Sequence, residues 1–270
     1  MTRPPVKERD ARWLAGLGAL LIDLDGVVYR GDVPLPGATE LGPTLSSLGI
    51  DYAFVTNNAT LTPDSYKEKL LGMGVAVDPS RIVTSAIATV EHLKRLSPAG
   101  GNVCVVGEQG LIQALSDAGF NVTDSDPAFV VAGLDRNLTF QRLVAATRGI
   151  MGGAAFIATN TDRALPVEDG LWPGAGAIVA AIATATGVQP TIMGKPEPTL
   201  LQVALRRLGA RPQDAAIVGD QVQTDIRAGI AAGMATILVA ADLAEDVPGI
   251  SADLVVRDLG ELLDLLRRAR

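Results

Sequence analysis

Four short segments of this 270-residue chain carry side chains able to do chemistry, and each follows an apolar run or opens a helix. The first is Leu20-Leu21-Ile22-Asp23-Leu24-Asp25-Gly26, where two carboxylates stand two residues apart at the end of a buried-strand pattern. In an open α/β sheet the carboxyl ends of strands are where ligands bind, and a glycine after the second acid permits a sharp exit. The second segment, Phe54-Val55-Thr56-Asn57-Asn58, ends in small hydroxyl and amide groups suited to donating to phosphate oxygens. The third, Gly194-Lys195-Pro196, places one cation ahead of a helix. The fourth, Ile217-Val218-Gly219-Asp220 followed by Thr224-Asp225, repeats the strand-then-acid design. Each has an ordinary alternative: a strand-to-turn exit, an Asn turn, a solvated surface lysine and a helix cap, respectively. Together they supply what phosphoryl transfer uses. A carboxylate can act as nucleophile, a cation and fixed donors can hold the charge of the phosphoryl oxygens, and Mg²⁺ prefers a few carboxylates plus water and substrate phosphate.

The elements that must position these groups alternate along the chain. Strands are predicted at Ala19 to Leu24, Tyr52 to Thr56, Ala215 to Val218, Ala235 to Ala240 and Leu254 to Val256. Helices are predicted at Thr39 to Leu48, from Thr62-Pro63-Asp64 towards Leu71, and near Thr199–Leu208, Asp225–Ala232 and Leu259–Arg268. This rhythm implies an α/β protein with a doubly wound, mostly parallel sheet. The middle of the chain repeats the rhythm by itself, with strands at Asn102–Val106, Phe129–Ala132 and Ala155–Ala158 and a helix at Thr139–Met151. A second, smaller α/β unit, residues 86–180, is therefore expected within a larger one formed by residues 1–85 and 181–270.

Composition narrows the function classes. A net charge of −7 and a pI of about 4.8 disfavour nucleic acid and anionic membrane as partners. Cys104, the single cysteine, lies in the apolar run Val103-Cys104-Val105-Val106 and reads as a buried inert thiol. His92 is the one histidine and reads as a helix-face residue, which leaves no natural partner for a Ser-His-Asp triad. The Ala-rich run Ile178 to Ala183 is too short to span a bilayer, and no leader's apolar stretch precedes Trp13. A cytoplasmic location is expected, and homo-oligomerisation is left open.

In order and spacing the four segments resemble the motifs of the haloacid dehalogenase superfamily. The stretch Asp23-Leu24-Asp25-Gly26-Val27-Val28-Tyr29-Arg30-Gly31, with Pro36-Gly37-Ala38, resembles its subfamily IIA, which holds NagD-like, para-nitrophenylphosphatase, phosphoglycolate and pyridoxal-phosphate phosphatases. Gly133-Leu134-Asp135, Ala158-Thr159-Asn160-Thr161-Asp162 and Pro173-Gly174-Ala175-Gly176-Ala177 extend the likeness through the middle unit. The resemblance implies a Rossmann-like core with an inserted C2-type cap, and a Mg²⁺-dependent phosphatase working through an aspartyl-phosphate. It implies Asp23 as nucleophile and metal ligand, and Asp25 as general acid and base whose backbone carbonyl also binds metal. Thr56, Asn57 and Asn58 would hold the phosphoryl group, Lys195 would screen charge, Asp220 would complete the protein ligands, and Asp225 would act through a metal-bound water. Gln221 departs from the Arg or Asn usual after the acid of that motif. The expected substrate is a small phosphorylated metabolite: phosphoglycolate, a sugar phosphate, a nucleoside monophosphate or a para-nitrophenyl phosphate-like monoester. Asn160 to Pro166, with Asn160, Asp162, Arg163 and Leu165, is the candidate loop for reading the leaving group; Leu165 stands where pyridoxal-phosphate phosphatases carry histidine. A catalytically silent phosphate-binding protein of the same fold, and a phosphotransferase with an acceptor other than water, are the alternatives.

Overall fold

A computed structural model describes residues 11–167, 170–240 and 250–270; the leading ten residues, where no leader was expected, lie outside them. The chain forms two compact units, one of Met1–Val55, Lys67–Ile82 and Lys195–Arg270, the other of Thr56–Tyr66 and Val83–Gly194. In chain order come β1 (Ala19–Asp23), a hairpin of β2 (Tyr29–Arg30) and β3 (Val33–Pro34), α1 (Leu41–Ser47), β4 (Asp51–Thr56), α2 (Pro63–Gly72) and β5 (Ile82–Thr84). Then follow α3 (Ser85–Leu96), β6 (Gly101–Val106), α4 (Gln109–Asp117), β7 (Phe120–Val122), β8 (Phe129–Ala132), α5 (Phe140–Met151) and β9 (Ala155–Ala158). A hairpin of β10 (Ala164–Val167) and β11 (Gly170–Pro173), then α6 (Ala175–Thr186) and β12 (Thr191–Ile192), lead back to the first unit. There the chain adds α7 (Thr199–Leu208), β13 (Ala215–Gly219), α8 (Arg227–Ala232), β14 (Ala235–Val239), β15 (Leu254–Val256) and α9 (Leu259–Ala269).

The larger sheet has the order β15-β14-β13-β1-β4-β5. β1 pairs in parallel with both β13 and β4, in a register that sets Ile22 opposite Val218 and Asp23 opposite Val55. All five residues of β1 are buried, as befits a central parallel strand covered on both faces. The chain leaves β1 for β4 and β5 on one side and returns for β13 to β15 on the other. β1 thus lies at the switch in winding direction, where open sheets bind ligands beyond their carboxyl ends.

Local chemistry explains the flanking helices. Thr62 Oγ1 accepts from Ser65 N at 3.1 Å ahead of Pro63, so α2 starts with a hydroxyl cap and a pre-set φ. In α9, Asp258 caps Glu261 N at 2.8 Å, and Leu259, Leu262, Leu263 and Leu266 form one buried stripe. Each such leucine contributes about 1.5–3 kcal/mol over an exposed position.

The second unit holds a wholly parallel five-stranded sheet, β12-β9-β8-β6-β7. Its core joins Cys104, Val106, Val130, Ala132 and Phe156 from the sheet to Ile150 of α5 and Ile178 and Ile182 of α6. Two expectations need correction. The helix expected from Asp225 starts at Arg227, after a wide π-type turn over Val222–Ile226. The stretch Asn160 to Pro166, expected as a loop, becomes strand from Ala164, where Leu165 pairs with Trp172. Pro166 argues against a strand because it lacks a ladder donor, but a two-stranded hairpin can leave that position on an open edge. No helix among the described residues is long and apolar enough to cross a membrane.

Candidate active site

Asp23 closes β1 and remains only 7% exposed. The Lys195 ammonium donates to Asp23 Oδ1 and to Asp225 Oδ1, both at 2.6 Å, and all three side chains are buried. Burial alone would lower the lysine pKa, yet the two carboxylates, Asp225 foremost, hold it above its ordinary value. Burial pushes the Asp23 pKa well up, and Asp225 and Asp220 add to that against the pull of Lys195.

Asp220 follows the last residue of β13, and its environment depends on two glycines. Gly26 has φ +86°, and a Cβ there would lie 2.1 Å from Asp220 Oδ2. A Cβ on Gly219 would lie 2.2 Å from both Cβ and Cγ of Asp225. Neither position accommodates a side chain without displacing a carboxylate. The π-type turn after Gln221 brings Asp225 back over the strand end, where its Oδ2 accepts from Gln221 N at 3.2 Å and from Thr224 Oγ1 at 3.3 Å. The cap expected as an alternative for this pair is not made, since α8 begins without a side-chain cap bond. Gln221 contributes its backbone and exposes its side chain.

Asp23, Asp220 and Asp225 each present a carboxylate oxygen within 4.8 Å of the others. Three carboxylates against one ammonium leave a surplus of negative charge. Asp220 Oδ1 is buried without a hydrogen-bond partner, and burial, then the neighbouring Asp225, pushes the Asp220 pKa up to about 6. An orphaned buried oxygen beside surplus charge fits a hard divalent cation held by few protein ligands.

Asp25 leaves the strand and keeps solvent access, but it sits among enough protein for lost hydration to raise its pKa. Lys69 and the Tyr29 hydroxyl oppose that rise; Tyr29 donates to Asp25 Oδ2 at 3.2 Å, and Lys69 Nζ lies 4.3 Å from the Tyr29 ring centroid. Tyr29 and Lys69 were not singled out by sequence. Tyr29 stands four residues after Asp25 within the quoted motif, a signal that was available; Lys69, forty residues on, left none.

In the second unit, Thr56 ends β4, one residue past the register partner of Asp23, and Thr56 Oγ1 accepts from Asn58 N at 3.1 Å. Asn58 Oδ1 closes the turn by accepting from Thr60 N at 2.9 Å and Thr60 Oγ1 at 2.8 Å. Asn57 Nδ2 donates to the two Asp162 carboxylate oxygens at 3.1 and 3.2 Å, and Asn160 Nδ2 donates to the Asn57 carbonyl at 2.8 Å. Asn160 and Asp162 are thus joined to Asn57, whereas Arg163 is exposed and Leu165 lies in the hairpin.

Comparison with known proteins gives the family. A family model described as haloacid dehalogenase-like hydrolase matches residues 20–121, and a second, HAD-hydrolase-like model matches residues 192–262. An acid sugar phosphatase of Staphylococcus aureus (strain USA300) is 44% identical over 222 residues, covering 82% of this chain and 85% of the relative. The crystal structure of a 4-nitrophenylphosphatase from Thermotoga maritima superposes with a TM-score of 0.87 at 34% identity, covering 93% of this chain and 98% of that one. NagD from E. coli K-12 gives a TM-score of 0.84 at 33% identity, covering 91% and 98%. The chain belongs to the haloacid dehalogenase-like hydrolases and is a phosphatase of that family.

Proposed function

We propose that the enzyme hydrolyses a small phosphate monoester in two displacements, with Mg²⁺ as cofactor. Asp23 attacks phosphorus and becomes an aspartyl-phosphate, while the Asp25 carboxylic acid gives its proton to the departing oxygen. The Asp25 carboxylate then takes a proton from the water that attacks the aspartyl-phosphate, which restores both acids and releases phosphate. The raised pKa of Asp25 favours the protonated form that the first step needs. Lys195, fixed between Asp23 and Asp225, holds the nucleophile in one orientation and offsets charge as the phosphoryl group approaches. Thr56 and Asn57, with Asn58 closing their turn, hold the phosphoryl oxygens. Asp23, Asp220 and the Asp25 carbonyl would hold the metal, with Asp225 acting through a water; the ion would neutralise the gathered carboxylates and phosphoryl oxygens.

The observation that carries this reading is the buried Asp23–Lys195–Asp225 bridge beside the unpartnered Asp220 oxygen. The inserted unit, placed at residues 86–180 by sequence, acts as a cap that excludes water. Arg163 and Leu165, not withdrawn into the Asn57 network, read the leaving group. The relative named acid sugar phosphatase supports sugar phosphates as the first substrates to test. A phosphometabolite panel with Mg²⁺, scored by kcat/KM and by free against transferred phosphate, decides substrate and acceptor together. Failure of every monoester, or transfer to an acceptor in place of hydrolysis, would refute the reading.

A further inference from the structure

Two of the polar groups after β9, Asn160 and Asp162, bond within the protein. Asn160 is 4% exposed; besides its bond to the Asn57 carbonyl, its Oδ1 accepts from Asp162 N at 3.1 Å. The Asn57 carbonyl also accepts from Ser85 Oγ, and Thr89 Oγ1 donates to the Ser85 carbonyl at 2.8 Å. On its other side Asn57 rests against Gly194, where a Cβ would lie 2.5 Å from Asn57 Oδ1 and 2.6 Å from the Thr159 carbonyl. The segment is clamped in turn by the start of α6. Gly176 N donates to the Asp162 carbonyl at 2.9 Å and Gly174 N to the Arg163 carbonyl at 3.0 Å. A Cβ on Gly174 would come within 2.2 Å of the Asp162 carbonyl oxygen, and one on Gly176 within 2.5 Å of the Thr161 carbonyl oxygen. The glycines of Pro173-Gly174-Ala175-Gly176-Ala177 therefore serve close backbone approach.

We infer that Asp162 and Asn160 are positioning residues: they anchor Asn57, and with it the Thr56–Asn57 peptide, and do not read the leaving group. A carboxylate accepting from an amide makes a charge-assisted bond, and the paired contacts to Asp162 fix the Asn57 amide in one rotamer. The inference rests on the proposal that the Thr56–Asn57 turn holds the phosphoryl group.

The test uses the full-length enzyme with Mg²⁺ and four single variants, Thr56→Ala, Asn57→Ala, Asp162→Ala and Asp162→Asn, with the double variant Asn57→Ala/Asp162→Ala. Kinetics on monoesters with unlike leaving groups are paired with the inhibition constant of inorganic phosphate and with melting curves. Asp162→Ala should lower kcat by one common factor for every substrate and weaken phosphate by ~10-fold or more. Asp162→Asn, which keeps an acceptor for the Asn57 amide, should recover most of that loss. The double variant should be no worse than the worse single variant, because both remove one link. Substrate-dependent changes in Asp162→Ala, additive losses in the double variant, or a lowered melting temperature with normal phosphate inhibition would overturn the inference. If Thr56→Ala leaves phosphate inhibition and kcat unchanged, the phosphoryl-holding turn itself is wrong and the inference falls with it. If Thr56→Ala is impaired while Asp162→Ala is not, the inference alone fails.

Discussion

The acidic cluster at the ends of β1 and β13 and the segment from Thr159 to Pro173 are both rich in groups that could meet a substrate, yet they use them differently. In the cluster, Asp23, Lys195 and Asp225 are each at most 7% exposed and locked into ion pairs. After β9, Asn160 and Asp162 turn inward to Asn57, while Arg163, Leu171 and Trp172 face solvent, the last two at 74% and 46% exposure. Bond making needs charges that are desolvated and already in place, because such groups do not reorganise during reaction. Choice of substrate needs side chains still open to contact. On the proposed mechanism the first region does the chemistry, and the second is divided between anchoring and recognition.

The largest test removes the nucleophile. Asp23→Asn should reduce kcat by at least ~10⁴-fold while the melting curve stays cooperative, since an amide cannot form the covalent intermediate. Nearly as large an effect should follow chelation. EDTA should silence turnover, Mg²⁺ should restore it and Ca²⁺, with its larger and looser shell, should not. Mg²⁺ should also raise the melting temperature of the wild type, by the equivalent of about 2.7 kcal/mol at a hundred times Kd, and should fail to do so in Asp220→Ala.

Smaller effects separate the regions further. Gly26→Ala places a methyl group against the Asp220 carboxylate, at a φ of +86° that an L side chain rarely adopts. A ~10–100-fold loss of Mg²⁺ affinity is expected by titration, with the other acids still present. Arg163→Ala and Leu165→Ala should redistribute kcat/KM among substrates by ~1–3 kcal/mol and leave phosphate inhibition alone. Equal loss for all substrates would move these two residues into the anchoring group. The smallest effect belongs to Cys104, whose thiol is pushed up to about 12, chiefly by burial. Burial disfavours the reactive thiolate, so iodoacetamide at pH 8 should modify it only after unfolding, as intact mass would show.

Asp23 and Asp220 were legible in the sequence because each stands at the end of a continuous apolar strand, whereas Asp225 lies within the turn over Val222–Ile226. β8 and β15 fall where those runs predict, and the leucine and valine stripe of α7 gives the predicted span Thr199–Leu208. The anchoring network was not legible. Asn160 and Asp162 read as polar loop residues, and nothing local reveals a partner 103 or 105 positions earlier. The β10–β11 hairpin escaped because Pro166 argues against a strand, and the short strand β12 because two residues carry no periodicity. Gly26 was read as a turn former and Gly219 only as part of a strand-then-acid segment. The closeness of Gly26 to Asp220 emerges once β1 and β13 are neighbours, and that of Gly219 to Asp225 once the π-type turn folds back.

The central claim is that Asp23 carries the phosphoryl group. Wild-type enzyme mixed with Mg²⁺ and a ³²P-labelled monoester should be quenched during turnover, digested and mapped. The label should appear on the peptide containing Asp23, be released by hydroxylamine as an acyl phosphate is, and be absent from Asp23→Asn. Label on any other residue, or no covalent label with turnover surviving in Asp23→Asn, would contradict the account.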